Sequence, residues 1–209
     1  EEVKRVLSEV IIKGGIAAFP TETFYCLGAR YDNVKALEKI HEIKSRPKDK
    51  GIPLIIGNAK ILRFVTPSVT GLMKKLIERF WPGPLTLLLN AREDLPYLIT
   101  AGIGKVAVRV PGASFALDLA RALELPLTAT SANISGMTAA RNADEVIGYF
   151  GSSVDIIVDG GRTPGGMPST IVEVINSRIV ILRPGQVSAE ELQLTVKKAQ
   201  IMVNNTDVP

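Results

Sequence analysis

The chain has one cysteine, one histidine and one tryptophan in 209 residues, and aromatic side chains make up only 5% of it. With Cys26 alone, there is no intramolecular disulfide framework and no thiolate cluster for a metal, a usage that fits a reducing, cytoplasmic setting. His41 is the only imidazole, so any Ser–His or Cys–His dyad, or any histidine-held metal, would need that one ring. It falls within a helical stretch, Val34 to Lys44, where a partly exposed structural histidine is expected, and imidazole chemistry is set aside. The shortage of aromatics argues against base-stacking recognition of single-stranded nucleic acid. No apolar run approaches the ~20 residues that span a bilayer and no signal peptide opens the sequence, so no membrane association is expected. A Gly-x-x-x-x-Gly-Lys-Ser/Thr motif is missing, which excludes a P-loop. Gly102-Ile103-Gly104 echoes a dinucleotide fingerprint but precedes a strand instead of joining strand to helix, and is rejected.

The composition that remains is that of a globular protein, 46% hydrophobic and 22% charged. The net charge of +4 is compatible with nucleic acid or with phosphate-bearing small ligands and does not distinguish them. Val3, Val6, Leu7, Val10 and Ile11 repeat at helical spacing and stop at Gly14-Gly15. A strand at 16–19 leads into a Thr-Glu-Thr loop. Helices are expected over 34–44, 69–80 and 114–124, and one opens at the capping box Ser188-Ala189-Glu190-Glu191. Strands are expected at 52–56, 85–89, 106–110, 127–130, 156–158, 170–175 and 179–182. This alternation predicts one mixed α/β domain over residues 1–200, with 201–209 as a C-terminal tail frayed from Asn204.

Four polar clusters follow element ends. Phe19-Pro20-Thr21-Glu22-Thr23-Phe24-Tyr25-Cys26-Leu27-Gly28 crowds hydroxyls, a carboxylate and a phenol behind a proline, at the end of a strand where open α/β sheets bind ligands. Lys44-Ser45-Arg46-Pro47-Lys48-Asp49-Lys50 holds four cations in seven residues, either a solvated helix C-terminus or a phosphate clamp. Thr128 to Gly136 carries Ser131 and Asn133 two apart, donors suited to phosphate or carboxylate and equally to a turn. The loop from Asp159 to Ser169 contains four glycines and reads equally as a surface loop or a ligand lid. Arg109 and Arg183 each stand at a strand end.

Taken in order, the blocks Pro20-Thr21-Glu22-Thr23-x-Tyr25-x-Leu27-Gly28, Lys44-x-Arg46-Pro47, Trp81-Pro82-Gly83-Pro84-Leu85-Thr86, Val108-Arg109-Val110-Pro111, Thr130 to Gly136, Pro168-Ser169-Thr170-Ile171 and Arg183-Pro184-Gly185 resemble the YrdC-like family of threonylcarbamoyl-AMP synthases. The resemblance implies one twisted mixed β-sheet flanked by helices, with a basic concave cleft, and the joining of L-threonine, bicarbonate and ATP, with Mg2+, into threonylcarbamoyl-adenylate and pyrophosphate. It implies further that the product serves threonylcarbamoyladenosine formation on tRNA beside the anticodon, with downstream tRNA-modifying proteins as partners. By position it assigns Thr23, Tyr25, Arg109 and Ser169 to threonine. Lys44, Arg46, Lys50, Ser131, Asn133 and Arg183 go to the nucleotide, with Lys44 and Arg46 as catalytic cations and no protein metal ligand. Cys26 stands where the family usually has glycine, and Pro53-Leu54-Ile55-Ile56-Gly57 lacks a histidine that some members place near the threonine hydroxyl. The chain resembles the family's short form. Two other readings stay open: a non-catalytic module binding tRNA or double-stranded RNA through phosphate contacts, and a carbamoyl-adenylate-forming domain of a hydrogenase-maturation protein.

Overall fold

Side-chain oxygens open most of the helices. Asn33, Thr70, Ser114 and Asn142 each accept a backbone N–H from the first turn, and Ser188 does so within a complete capping box. In this computed structural model, which describes residues 1–196 and 199–203, the elements run α1 (Glu2–Ile12), β1 (Ala17–Pro20), β2 (Tyr25–Gly28), α2 (Val34–Ile43), β3 (Leu54–Ile55), α3 (Gly71–Phe80), β4 (Leu85–Asn90), α4 (Tyr97–Thr100) and β5 (Lys105–Arg109). They continue with α5 (Phe115–Leu123), β6 (Leu127–Thr128), β7 (Thr130–Ser131), α6 (Ala143–Phe150), β8 (Ile156–Ile157), β9 (Thr170–Ile175), β10 (Arg178–Arg183), α7 (Ala189–Thr195) and β11 (Ile201–Val203).

The strands form two mixed sheets where the family resemblance implies one. Seven strands lie in the order β11-β10-β9-β4-β5-β3-β6, and four in the order β7-β2-β1-β8. The expected strand at 127–130 is the point of division. Thr128 pairs with Leu54 in the larger sheet and Thr130 with Leu27 in the smaller, so only Ala129 separates the two. Periodicity cannot show such a switch, because each half contributes only two paired residues, Leu127-Thr128 and Thr130-Ser131, too few to carry a period. Part of the predicted Thr-Glu-Thr loop is also strand: β2 pairs antiparallel with β1, Phe19 opposite Cys26, and only 21–24 form the turn.

Residues 201–203, assigned above to the tail, pair in parallel with β10, Ile179 opposite Ile201. The expected fraying from Asn204 lies outside the described residues. A large core packs Tyr25, Leu27, Leu37, Ile40 and Leu54 with Leu87, Val108 and Val172. A second cluster joins Leu7 and Ile11 of α1 and Leu119 of α5 to Phe19 and Leu127.

Candidate active site

A cavity of about 420 Å³ is lined by residues of both sheets. The β1–β2 turn and the strands beside it supply Thr21, Thr23, Tyr25, Cys26 and Ser131, and the larger sheet and its margins supply Leu54, Thr86, Arg109, Ser169 and Arg183. Arg46 enters from the segment after α2. Seven of the ten residues assigned from sequence therefore meet here: Thr23, Tyr25, Arg46, Arg109, Ser131, Ser169 and Arg183. Lys44, Lys50 and Asn133 are not in the lining.

Lys44 stands behind the wall. It is only 2% exposed, and its Nζ donates to the Ser131 carbonyl at 2.5 Å, the Asn133 carbonyl at 2.7 Å and Asn133 Oδ1 at 3.3 Å. Burial first, then the charge of Arg46, pushes its pKa down to about 7. The three oxygens act the other way, because only the protonated amine has a hydrogen for each of them. In this structure Lys44 thus fastens the end of α2 to the Ser-x-Asn loop.

Asn133 is equally engaged. Its Oδ1 accepts from Ser131 Oγ at 2.6 Å, and its Nδ2 donates to the Met137 carbonyl at 2.6 Å. Lys50 is exposed, and its main chain is what the site uses: Arg46 Nε donates to the Lys50 carbonyl at 2.9 Å and Arg46 Nη2 to that of Gly51 at 2.6 Å. These bonds aim the rest of the Arg46 guanidinium at the cavity, and burial lowers its pKa.

The opposite wall is a pair of guanidinium groups. Arg183 Nη2 donates to the Ser169 carbonyl at 2.8 Å and to Ser169 Oγ at 3.2 Å, and Ser169 Oγ lies 2.8 Å from Thr86 Oγ1. Burial, and then the charge of Arg109, lowers the pKa of Arg183. Its Nε is buried with no hydrogen-bond partner among the described residues. Arg109 is ion-paired to Glu22. Arg46, Arg109 and Arg183 make three cations of the lining, a donor set matched to carboxylate and phosphate.

The glycine-rich loop is fastened to the cavity wall. Tyr25 Oη donates to the Gly161 carbonyl at 2.8 Å and accepts the Gly160 amide at 3.0 Å, so the hydroxyl of this fully buried residue holds the loop. The Gly165 amide donates to the Thr23 carbonyl at 2.8 Å, and Arg141 Nη2 donates to the carbonyls of Thr163 at 3.1 Å and Pro164 at 2.7 Å. Arg141 carries no sequence signal for this task. Thr86, also given no role from sequence, closes the block Trp81-Pro82-Gly83-Pro84-Leu85-Thr86 and stands as a lone hydroxyl in the apolar run Leu85-Thr86-Leu87-Leu88-Leu89. Cys26 lines the cavity as a buried thiol, and burial pushes its pKa up, away from thiolate chemistry.

His41 is 4% exposed instead of partly exposed, because α2 turns that face into the core. Its Nδ1 faces the Arg46 carbonyl at 3.2 Å, burial lowers its pKa, and it does not line the cavity.

A family model named Sua5_yciO_yrdC, described as telomere recombination, matches residues 9–185. A threonylcarbamoyl-AMP synthase of Pyrococcus abyssi is 38% identical over 197 residues, which are 94% of this chain and 58% of that protein. Proteins of the same name from Bacillus subtilis and Idiomarina loihiensis are 39% and 38% identical, over 87% and 80% of this chain and 53% and 91% of their own lengths. The crystal structure of P. abyssi Sua5 complexed with L-threonine matches with a TM-score of 0.89 at 38% identity, covering 96% of this chain and 59% of that one. The chain thus spans little more than half the length of the first two of these relatives. By the span of the family match and by these identities, the chain belongs to the Sua5/YciO/YrdC family.

Proposed function

We propose that this protein forms threonylcarbamoyl-AMP from L-threonine, bicarbonate and ATP, releasing pyrophosphate, as the activating step for threonylcarbamoyladenosine on tRNA. The observation that carries this reading is the convergence of Arg46, Arg109 and Arg183 with the hydroxyls of Thr23, Ser131 and Ser169 on one cavity. About 420 Å³ falls in the range of small-molecule sites. Threonine's carboxylate pairs with Arg109 and Ser169, beside Thr23. Arg46, Arg183 and Ser131 take the nucleotide, with Lys44 and Asn133 holding the Ser131 loop in place. Magnesium enters with ATP as part of the substrate, carried largely by its phosphates.

The chemistry follows from that placement. The threonine amine bonds to the carbon of bicarbonate with loss of water, giving a carbamate. A carbamate oxygen then bonds to the α-phosphorus as the bond to pyrophosphate breaks. Neither step requires an imidazole, and the lining supplies none. Alignment of the three reactants and neutralisation of charge growing on the α-phosphate are what the arginines provide. We place the reaction in the cytoplasm, where ATP and tRNA meet; no helix among the described residues is long and apolar enough to cross a membrane. The net charge of +4 is compatible with transient contact with tRNA or double-stranded RNA, and the tRNA-modifying proteins that consume the product are the downstream partners of this reading.

The test is incubation of the full chain with ATP, magnesium, labelled bicarbonate and L-threonine, followed by chromatography for a labelled adenylate. The adenylate is expected to need all components, and Arg46→Ala is expected to lower its formation about 100-fold or more. An adenylate formed with carbamoyl phosphate and not with threonine plus bicarbonate would transfer the protein to the hydrogenase-maturation chemistry. Salt-sensitive RNA binding without ATP consumption would make it a binding module.

A further inference from the structure

Glu22 is the middle residue of the Thr-Glu-Thr turn, and the one of the three that does not line the cavity. Its Oε1 accepts from Arg109 Nη1 and, at 3.3 Å, from the Gly112 amide. A Cβ on Gly112 would lie 3.6 Å from Glu22 Cγ, so the carboxylate is packed against backbone as well as bonded to it. The Arg109 and Glu22 side chains are 14% and 19% exposed. Glu22 Oε2 is buried and has no hydrogen-bond partner among the described residues.

A largely buried ion pair is weak ground for stability, and a carboxylate oxygen kept dry without a donor is a cost. The pair's geometry has a different use. Arg109 stands at the end of β5 in the larger sheet, Glu22 in a turn of the smaller one, and Arg109 reaches the cavity while Glu22 does not. A carboxylate gripping one nitrogen from outside the lining selects one orientation of a long side chain and leaves the remaining N–H groups for a ligand. It also sets a negative charge beside Arg109, which partly offsets the repulsion between that cation and Arg183.

We infer that Glu22 is a positioning residue: it holds the Arg109 guanidinium facing the cavity and moderates its charge, and so sets how strongly the site takes the carboxylate of the amino-acid substrate. This rests on the proposed function for the identity of the ligand, but not for the orientation of Arg109.

The test compares the wild-type chain with Glu22→Ala and Glu22→Gln, by calorimetric titration with L-threonine and separately with ATP, alongside thermal melting. Glu22→Ala is expected to weaken threonine binding about tenfold or more while ATP binding stays within about threefold. Glu22→Gln keeps an acceptor oxygen for Arg109 and is expected to fall between Glu22→Ala and wild type. Equal weakening of both ligands together with a lower melting temperature would show a structural role and overturn the inference, as would unchanged threonine binding in Glu22→Ala. Should Glu22→Ala not fold, Glu22→Gln decides on the same two titrations. If the wild type binds no threonine, the functional reading fails, and crystal structures decide the positioning: a guanidinium displaced in Glu22→Ala and retained in Glu22→Gln supports it, and an unmoved one in Glu22→Ala overturns it.

Discussion

Replacing Lys44 by methionine preserves length and apolar bulk but removes three hydrogen bonds to the Ser131–Asn133 segment. Acceptors left dry are expected to cost about 1–3 kcal/mol, measurable as a lower denaturant midpoint at constant slope. Lys44→Arg is expected not to restore it, because a planar fork does not fit a cage built around a point donor. A free phosphate ligand would behave differently, with ATP affinity falling and stability unchanged. His41 supplies a pH dependence. Its pKa is lowered by burial, so between that value and the ordinary histidine value the unfolded chain binds more protons than the folded one. Stability contributed by the neutral ring is present above the ordinary value and is lost as pH falls towards the lowered one. The melting temperature is expected to drop as pH falls below the ordinary histidine value of about 6.5, and His41→Leu is expected to flatten that part of the curve.

At the scale of elements, the cavity walls depend on close approaches that only small residues permit. A Cβ at Gly185 would strike the Pro168 carbonyl oxygen and come within 2.5 Å of the Ser169–Thr170 backbone. That peptide bears Ser169 and begins β9. Gly185→Ala is therefore expected to cost about 1–3 kcal/mol, since rigid backbone cannot yield as a side-chain tip would. It should also weaken threonine binding through displacement of Ser169, and both effects can be read by denaturation and calorimetry. The elements themselves were legible in sequence where one rule dominated. Helical spacing marked α1, α2 and α3, the Ser188 capping box marked α7, a helix was also expected at α5, and short apolar runs marked β4, β5, β9 and β10. Strand β2 escaped because its Tyr-Cys-Leu-Gly follows polar turn residues and is buried throughout, leaving no alternation to detect.

For the whole molecule, the site exists only where the two sheets meet, so ligands that touch both walls should hold the fold together. Threonine or ATP, each at about 100 times its own dissociation constant, is expected to add about 2.7 kcal/mol. In a chain of 209 residues that corresponds to a melting temperature raised by roughly 5–10 °C, and scanning calorimetry would read it. The two ligands together are expected to give about twice the rise of threonine alone, because each adds its own term at the same saturation. No rise with either ligand would remove the shared cavity from the account of function.

The order of residue types along the chain was enough to decide the α/β class, the family and most of the groups that meet at the cavity, because each is written in a short local pattern. Tertiary structure alone decided how those groups are used. In sequence Lys44 read as a solvated helix end or as part of a phosphate clamp, and the fold buries it against Ser131 and Asn133 with its hydrogens on carbonyls. Glu22 looked like a turn residue, and its grip on Arg109, 87 positions away, arises only when the smaller sheet is set against the larger. Sequence records which donors and acceptors are available; which of them remain free for a ligand depends on partners that only long-range packing brings within hydrogen-bonding distance.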